Sequence, residues 1–142
     1  MDTAMKDTAP APQPAVLGGV TPYLQVDGAI KAAEFYAKAF GAEEVGRHPP
    51  DDTGRTMHIH LYINGGSLMM SDAFPEHGFP HKDAQGYTLL LYVDDVDAWW
   101  KRAVDTGRME IVMPLQKQFW GDRYGQLRDP FGVLWGLGAP GD

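Results

Sequence analysis

The chain reads as an α+β protein made of two consecutive β-α-β-β-β modules, and three observations carry that reading. Tyr23-Leu24-Gln25-Val26-Asp27 leads through an apolar-patterned run to Gly41 and then Glu43-Glu44-Val45; Leu90-Leu91-Tyr92-Val93-Asp94 leads through another such run to Gly107 and then Glu110-Ile111-Val112. Both runs place apolar residues at helical spacing between segments that alternate as strands do. Each copy is then followed by two more strand-like segments. Two stacked copies of one unit predict a cupped, mostly antiparallel sheet with helices outside and a ligand-sized hollow between the copies.

The elements follow in order. Residues 1–18, rich in Ala, Pro and Thr, read as a disordered tail. The domain spans 19–139, with modules at about 19–73 and 86–139. Val20 to Val26 is a strand turned by Asp27-Gly28. Ile30, Ala33, Ala37 and Phe40 recur on one helix face, and Gly41 supplies the stop. Glu43 to His48 is a short strand and Pro49 to Thr53 a loop. Met57 to Ile63 and Ser67 to Asp72 are two strands of a hairpin around Asn64-Gly65-Gly66. Ala73 to Gly86, punctuated by Pro75, Gly78, Pro80 and Gly86, is a long loop of the kind that serves as a lid or crossover. In the second copy Thr88 to Val93 is a strand, and Asp94 or Asp95 caps a helix. Its face of Val96, Trp99, Trp100, Ala103 and Val104 fits the amphipathic repeat. Glu110 to Met113, Arg123 to Arg128 and Val133 to Leu137 complete the module, the last two joined by the type I turn Asp129-Pro130-Phe131-Gly132.

Composition limits the function. With 44% hydrophobic residues, the 142-residue chain can bury one core. A net charge of −7 argues against a nucleic-acid partner. The absence of cysteine removes disulfides, thiolate metal sites and cysteine nucleophiles. No apolar run reaches the ~20 residues that span a bilayer, and the N-terminus lacks the pattern of a signal peptide. The expected location is cytoplasmic.

Strand parity then selects a face. Ile59, Leu61 and Ile63 share one side of their strand and should pack on the helices, which turns His58, His60 and Tyr62 toward the hollow. Thr21, Tyr23 and Gln25 should join them. His58 and His60 lie about 7 Å apart on that face, a spacing one metal can bridge. Asp72 on the paired strand would complete a two-His, one-carboxylate set. The plain alternative is a polar cavity wall, hydrogen-bonded to Tyr62, Asp72 or a ligand. Trp120 with Phe119, beside Arg123 and Tyr124, suits stacking of a flat ligand and contact with an anionic group; the alternative is sheet packing with Arg123 paired to Asp122 or Asp129. Two adjacent indoles cannot both point inward, so one of Trp99 and Trp100 should cover the other half or a dimer surface. His77 and His81 read as solvated loop residues.

Four segments carry a family resemblance: Thr21-Pro22-Tyr23-Leu24; Ala33-Glu34-Phe35-Tyr36 to Phe40-Gly41; Leu68-Met69-Met70-Ser71-Asp72-Ala73; and Phe119-Trp120-Gly121-Asp122-Arg123-Tyr124-Gly125 running through Asp129-Pro130-Phe131-Gly132 to Trp135. Together they resemble the vicinal-oxygen-chelate superfamily of glyoxalases, bleomycin-resistance proteins and extradiol dioxygenases, in its PhnB-like branch. The resemblance implies a homodimer whose hollows are completed by both chains. It also implies four metal positions, which map here to Thr21, Met70, Thr88 and Gly136, none of them an ordinary metal ligand. The expectation is therefore metal-free binding of a small, partly aromatic or amphiphilic molecule, with no cofactor. Tyr23, His58, His60, Tyr62, Asp72, Trp120 and Arg123 would line that site. The alternative is a lyase, isomerase or dioxygenase using one divalent metal on His58, His60 and Asp72 to act on vicinal oxygens. A third reading is acid–base catalysis with His58 as base, oriented by Asp72.

Overall fold

The computed structural model describes residues 13–141. The first module contains β1 (Tyr23–Val26), α1 (Ala29–Phe40), β2 (Glu43–Arg47), β3 (Ile59–Ile63) and β4 (Gly66–Asp72). A short 3₁₀ turn at Pro75–His77 lies in the connection. The second module contains β5 (Leu89–Tyr92), α2 (Val96–Val104), β6 (Glu110–Lys117), β7 (Arg123–Arg128) and β8 (Leu134–Ala139). Each module forms a four-stranded sheet of its own, in the orders β1-β4-β3-β2 and β5-β8-β7-β6. The first strand runs parallel to its neighbour in each, and the other two pairings are antiparallel. The repeat read in the sequence is thus the repeat in the fold, with strand pairing confined within each copy.

Local chemistry sets the boundaries. Gly41, at φ 70°, ends α1, and the amides after the helix return to Ala37 and Tyr36 carbonyls, the left-handed stop that glycine permits without strain. Asn64 and Gly65 both take positive φ, 48° and 79°, the mirror-image turn that matches strand twist and fixes the β3–β4 register. Asp95 caps α2 by accepting from the Ala98 amide. No side chain of its own loop caps α1; the β4 residue Asp72 does so from across the sheet.

One core serves both modules. Leu24, Val26, Ile59, Leu61, Leu68 and Met70 join Leu91, Leu127, Trp135 and Leu137 in a single buried cluster with the inner faces of the helices. Tyr36 and Phe40 of α1 pack on Trp135 of β8, with ring centroids 5.3 and 4.7 Å away. The Asp129 carboxylate accepts from Tyr36 Oη (2.5 Å) and Trp135 Nε1 (2.9 Å) through one oxygen, and from the Phe131 and Val133 amides through the other. Arg102 of α2 reaches the last carbonyls of α1, Lys38 and Ala37, where a cation also suits the helix dipole. Of the adjacent indoles, Trp100 lies on β7, where a Cβ at Gly125 would be 2.6 Å from its Cζ3. Trp99 lines a small cavity with Phe40 of the first module.

Of the tail expected over 1–18, residues 1–12 lie outside the described residues. Residues 14–17 lie against the first sheet. The Ala15 carbonyl accepts from Tyr62 Oη (2.7 Å), and the Leu17 amide donates to Ser67 Oγ (2.8 Å).

Candidate functional site

Each sheet has one face against the helices and one that no helix covers. On the first sheet, alternation sends Leu24, Val26, Ile59, Leu61, Ile63, Leu68 and Met70 to the core. The residues between them, Tyr23, Gln25, His60, Tyr62, Ser67, Met69 and Ser71, take the uncovered face.

That face carries a row of rings. His58 stands between Tyr23 and His48, at centroid distances of 5.8 and 5.1 Å; His60 follows at 6.5 Å, and Tyr62 lies edge-on to His60 at 5.2 Å. Tyr23 Oη is 2.9 Å from His58 Nδ1 and 3.2 Å from the Met57 carbonyl. The arrangement that uses both contacts has Nδ1–H donating to the phenol and the phenol donating to the carbonyl, so His58 Nε2 is left as an acceptor. Burial, reinforced by the neighbouring His48 and His60, holds the His58 pKa below its ordinary value, so the imidazole is neutral at pH 7. Burial likewise raises the Tyr23 phenol. His60 is almost fully enclosed and bonds Ser67 Oγ through Nε2 at 2.7 Å.

Beside this row is a cavity of about 190 Å³ lined by Gln25, Met57, Ser71, Asp72, Phe74 and Phe79. Its phenylalanines come from the long connection, where Phe74 and Phe79 exchange backbone hydrogen bonds around the 3₁₀ turn. Arg55 fastens that turn to the loop before β3. Its guanidinium bonds Glu76 and Asp51 and stacks 4.5 Å over the Phe74 ring. Glu76 is held down at about 2 by its hydrogen bond to Arg55.

Two expected site residues lie off the ring row. Asp72 is 4% exposed and lies on the helix side of β4. One oxygen accepts from the Gly28 and Ala29 amides (2.9 Å each) and the other from the Thr56 amide (2.8 Å). It is a helix cap and loop tie, not a partner for His58 or His60. Arg123 points to the helix side of β7 and pairs with Asp97 of α2, and its buried Nε has no hydrogen-bond partner among the described residues. Trp120 is half-exposed in the loop before β7, against Phe119 and Tyr124. It accompanies the second sheet's uncovered face, with Leu90, Tyr92 and Gln126, apart from the histidine row. Among the described residues, no hydrogen bond or ring contact joins the side chains of the two uncovered faces. Of the seven residues, the fold assembles Tyr23, His58, His60 and Tyr62.

The metal set expected as the alternative does not fit. With Asp72 on the opposite face and His60 bonded to Ser67, His58 and His60 lack a third donor. Among the described residues no three His, Asp or Glu side chains converge as a metal site. Met70, mapped to a metal position, is fully buried on the helix side; Met69 takes the uncovered face instead. Gly136 does reach the uncovered face, and the Tyr124 ring occupies the space its side chain would need. His48 went unread in the sequence. Its amide donates to the His58 carbonyl across the β2–β3 pairing, so continuing that pairing past Arg47 was the available signal.

Comparison with known proteins places these features in context. The profile of the Glyoxalase/Bleomycin resistance protein/Dioxygenase superfamily matches residues 17–137. The uncharacterized protein Rv0887c of Mycobacterium tuberculosis is 42% identical over 127 residues, covering 85% of this chain and 74% of that protein. Among solved structures, PA1353 of Pseudomonas aeruginosa superposes with a TM-score of 0.71 at 28% identity, over 87% of this chain and 98% of its own. TnmS3, an antibiotic binding protein from Streptomyces sp. CB03234, does so with a TM-score of 0.65 at 27% identity, over 89% and 96%.

Proposed function

The chain belongs to the glyoxalase/bleomycin resistance protein/dioxygenase superfamily, and from that premise we propose that it binds a small, flat, partly aromatic molecule on the uncovered face of the first sheet without a metal ion. The observation that carries this is the ring row Tyr23–His58–His60–Tyr62. Tyr23 and His58 lie at its open end, beside the cavity under Phe74 and Phe79. Rings supply stacking area, worth about 0.5–1.5 kcal/mol per pair beyond burial. The neutral His58 supplies an acceptor for a ligand hydroxyl or amide, and Gln25 and Ser71 offer further polar contacts. The likeness to an antibiotic binding protein supports a small-molecule ligand.

The binding unit in this reading is a homodimer in the cytoplasm, a compartment that suits a chain without disulfides. Leu90, Tyr92, Ile111 and Trp120 are about half exposed around the second sheet. A second copy would cover them and complete the hollow over each site.

A second reading draws on the Tyr23 contact. His58, oriented by Tyr23 rather than by Asp72, has the neutral Nε2 that a general base needs. One experiment separates the two. Planar aromatic antibiotics are screened by thermal shift, and hits are titrated calorimetrically against the wild type and His58→Ala, with ligand recovery followed by mass spectrometry. Sequestration predicts unaltered ligand and weaker binding to the variant. Turnover that His58→Ala abolishes would favour the acid–base reading. Hits that bind wild type and variant equally would remove this face as the site.

A further inference from the structure

The His60–Tyr62 half of the ring row is covered by the chain's own N-terminal arm. The Ala15 carbonyl accepts from Tyr62 Oη at 2.7 Å, the Leu17 amide donates to Ser67 Oγ at 2.8 Å, and the Leu17 carbonyl accepts from the Ser67 amide at 3.0 Å. Ser67 Oγ is the same atom that meets His60 Nε2. Pro14 rests where β2 has no side chain: a Cβ at Gly46 would lie 3.7 Å from Pro14 Cγ and 3.8 Å from His60 Cβ. This cover leaves His60 only 2% exposed although it sits on the uncovered face.

From these contacts we infer that residues 14–17 form a displaceable strap, which closes half of the ligand face and opens to lengthen it. The inference rests on the reading of that face as a ligand site. The hold is polar and one-sided. Ala15 and Val16 are exposed, Pro14 and Leu17 are only partly covered, and no arm side chain is buried as core residues are. Gly18, at φ 94°, and the exposed Gly19 separate the strap from β1, so it can swing while the strand stays paired. The groups it satisfies on Tyr62, Ser67 and His60 are those a polar aromatic ligand would use. A ligand that reached them would replace one set of hydrogen bonds with another and gain ring contacts with His60 and Tyr62.

The test uses the full chain and Leu17→Pro, which lacks the amide donor. Diethyl pyrocarbonate labelling of each histidine is read by mass spectrometry, and binding of the probe 8-anilinonaphthalene-1-sulfonate is measured beside it. The strap predicts His60 labelling at least tenfold faster in the variant, His58 labelling unchanged, and tighter probe binding. In the unaltered chain, the Ser67 amide should exchange with deuterium at least tenfold faster than the Asp72 amide, which donates to the Thr56 carbonyl; this arm needs no variant. Equal His60 labelling in both proteins, or equally slow exchange of the two amides, would overturn the strap and leave the ligand reading untouched. Freed His60 with unimproved probe binding, where that binding still weakens in His58→Ala, would overturn the gating alone. Probe binding indifferent to His58→Ala would count against the site itself.

Discussion

The Asp72 carboxylate gathers three backbone amides from two separate segments, the start of α1 and the turn before β3. Asp72→Ala strands those buried donors, and the expected loss of folding stability is about 3 kcal/mol, read from urea unfolding. Arg123→Ala should cost under about 1 kcal/mol because its pair with Asp97 is partly exposed. A comparable loss from the two would contradict their placement. His58 gives a pH signature. Its folded pKa lies below the ordinary 6.5, so on acidification the unfolded chain takes up a proton before the folded one does. Stability should therefore fall as pH drops through about 6.5 and level off below the folded pKa. Urea midpoints for His58→Gln across pH 5 to 8 should lose that component; identical slopes for both proteins would refute it.

At the scale of elements, helix α2 depends on a missing side chain. A Cβ on Gly125 would lie 2.6 Å from Trp100 and 2.9 Å from the Leu115 backbone, and backbone cannot yield as a rotamer can. Gly125→Ala is expected to cost about 1–3 kcal/mol and to red-shift tryptophan fluorescence as Trp100 lifts from the sheet; a change in neither would place the indole elsewhere. The same scale shows why part of the site was legible in the sequence. Strand β3 alternates cleanly, Ile59, Leu61 and Ile63 against His60 and Tyr62, so its faces could be assigned by inspection. Strand β4 does not: Leu68, Met69 and Met70 are consecutive apolar residues, so either parity satisfies the pattern. Met70, which the family mapping takes toward the hollow, and Asp72 both lie on the helix side. Arg123 and Tyr124 are likewise adjacent residues with opposite faces, and only the packing of Gly125 under Trp100 decides between them. The strap was illegible for another reason. Its contacts are backbone groups meeting Tyr62 and Ser67, which no side-chain pattern in residues 13–17 announces.

For the whole molecule, the repeat located both modules, both helices and every strand to within a few residues, because each copy constrains the other. How the copies join was beyond that pattern. The exposed apolar residues of the second sheet predict self-association: sedimentation equilibrium at micromolar concentration should return twice the 15.7 kDa chain mass. Trp120→Ser with Leu90→Ser should shift that mass toward the monomer, and a wild-type monomer would remove the shared hollow from the functional reading.

The Tyr36–Asp129 hydrogen bond ties the first module's helix to the second module's turn. Its partners lie in different copies, so neither copy carries a complete interior to its descendants. A recombinant that kept Asp129 but took its first module from a relative without the matching phenol would inherit a buried carboxylate short of one of its four donors. At this contact the two structural repeats are complementary rather than interchangeable, and a recombinant must keep Tyr36 and Asp129 together.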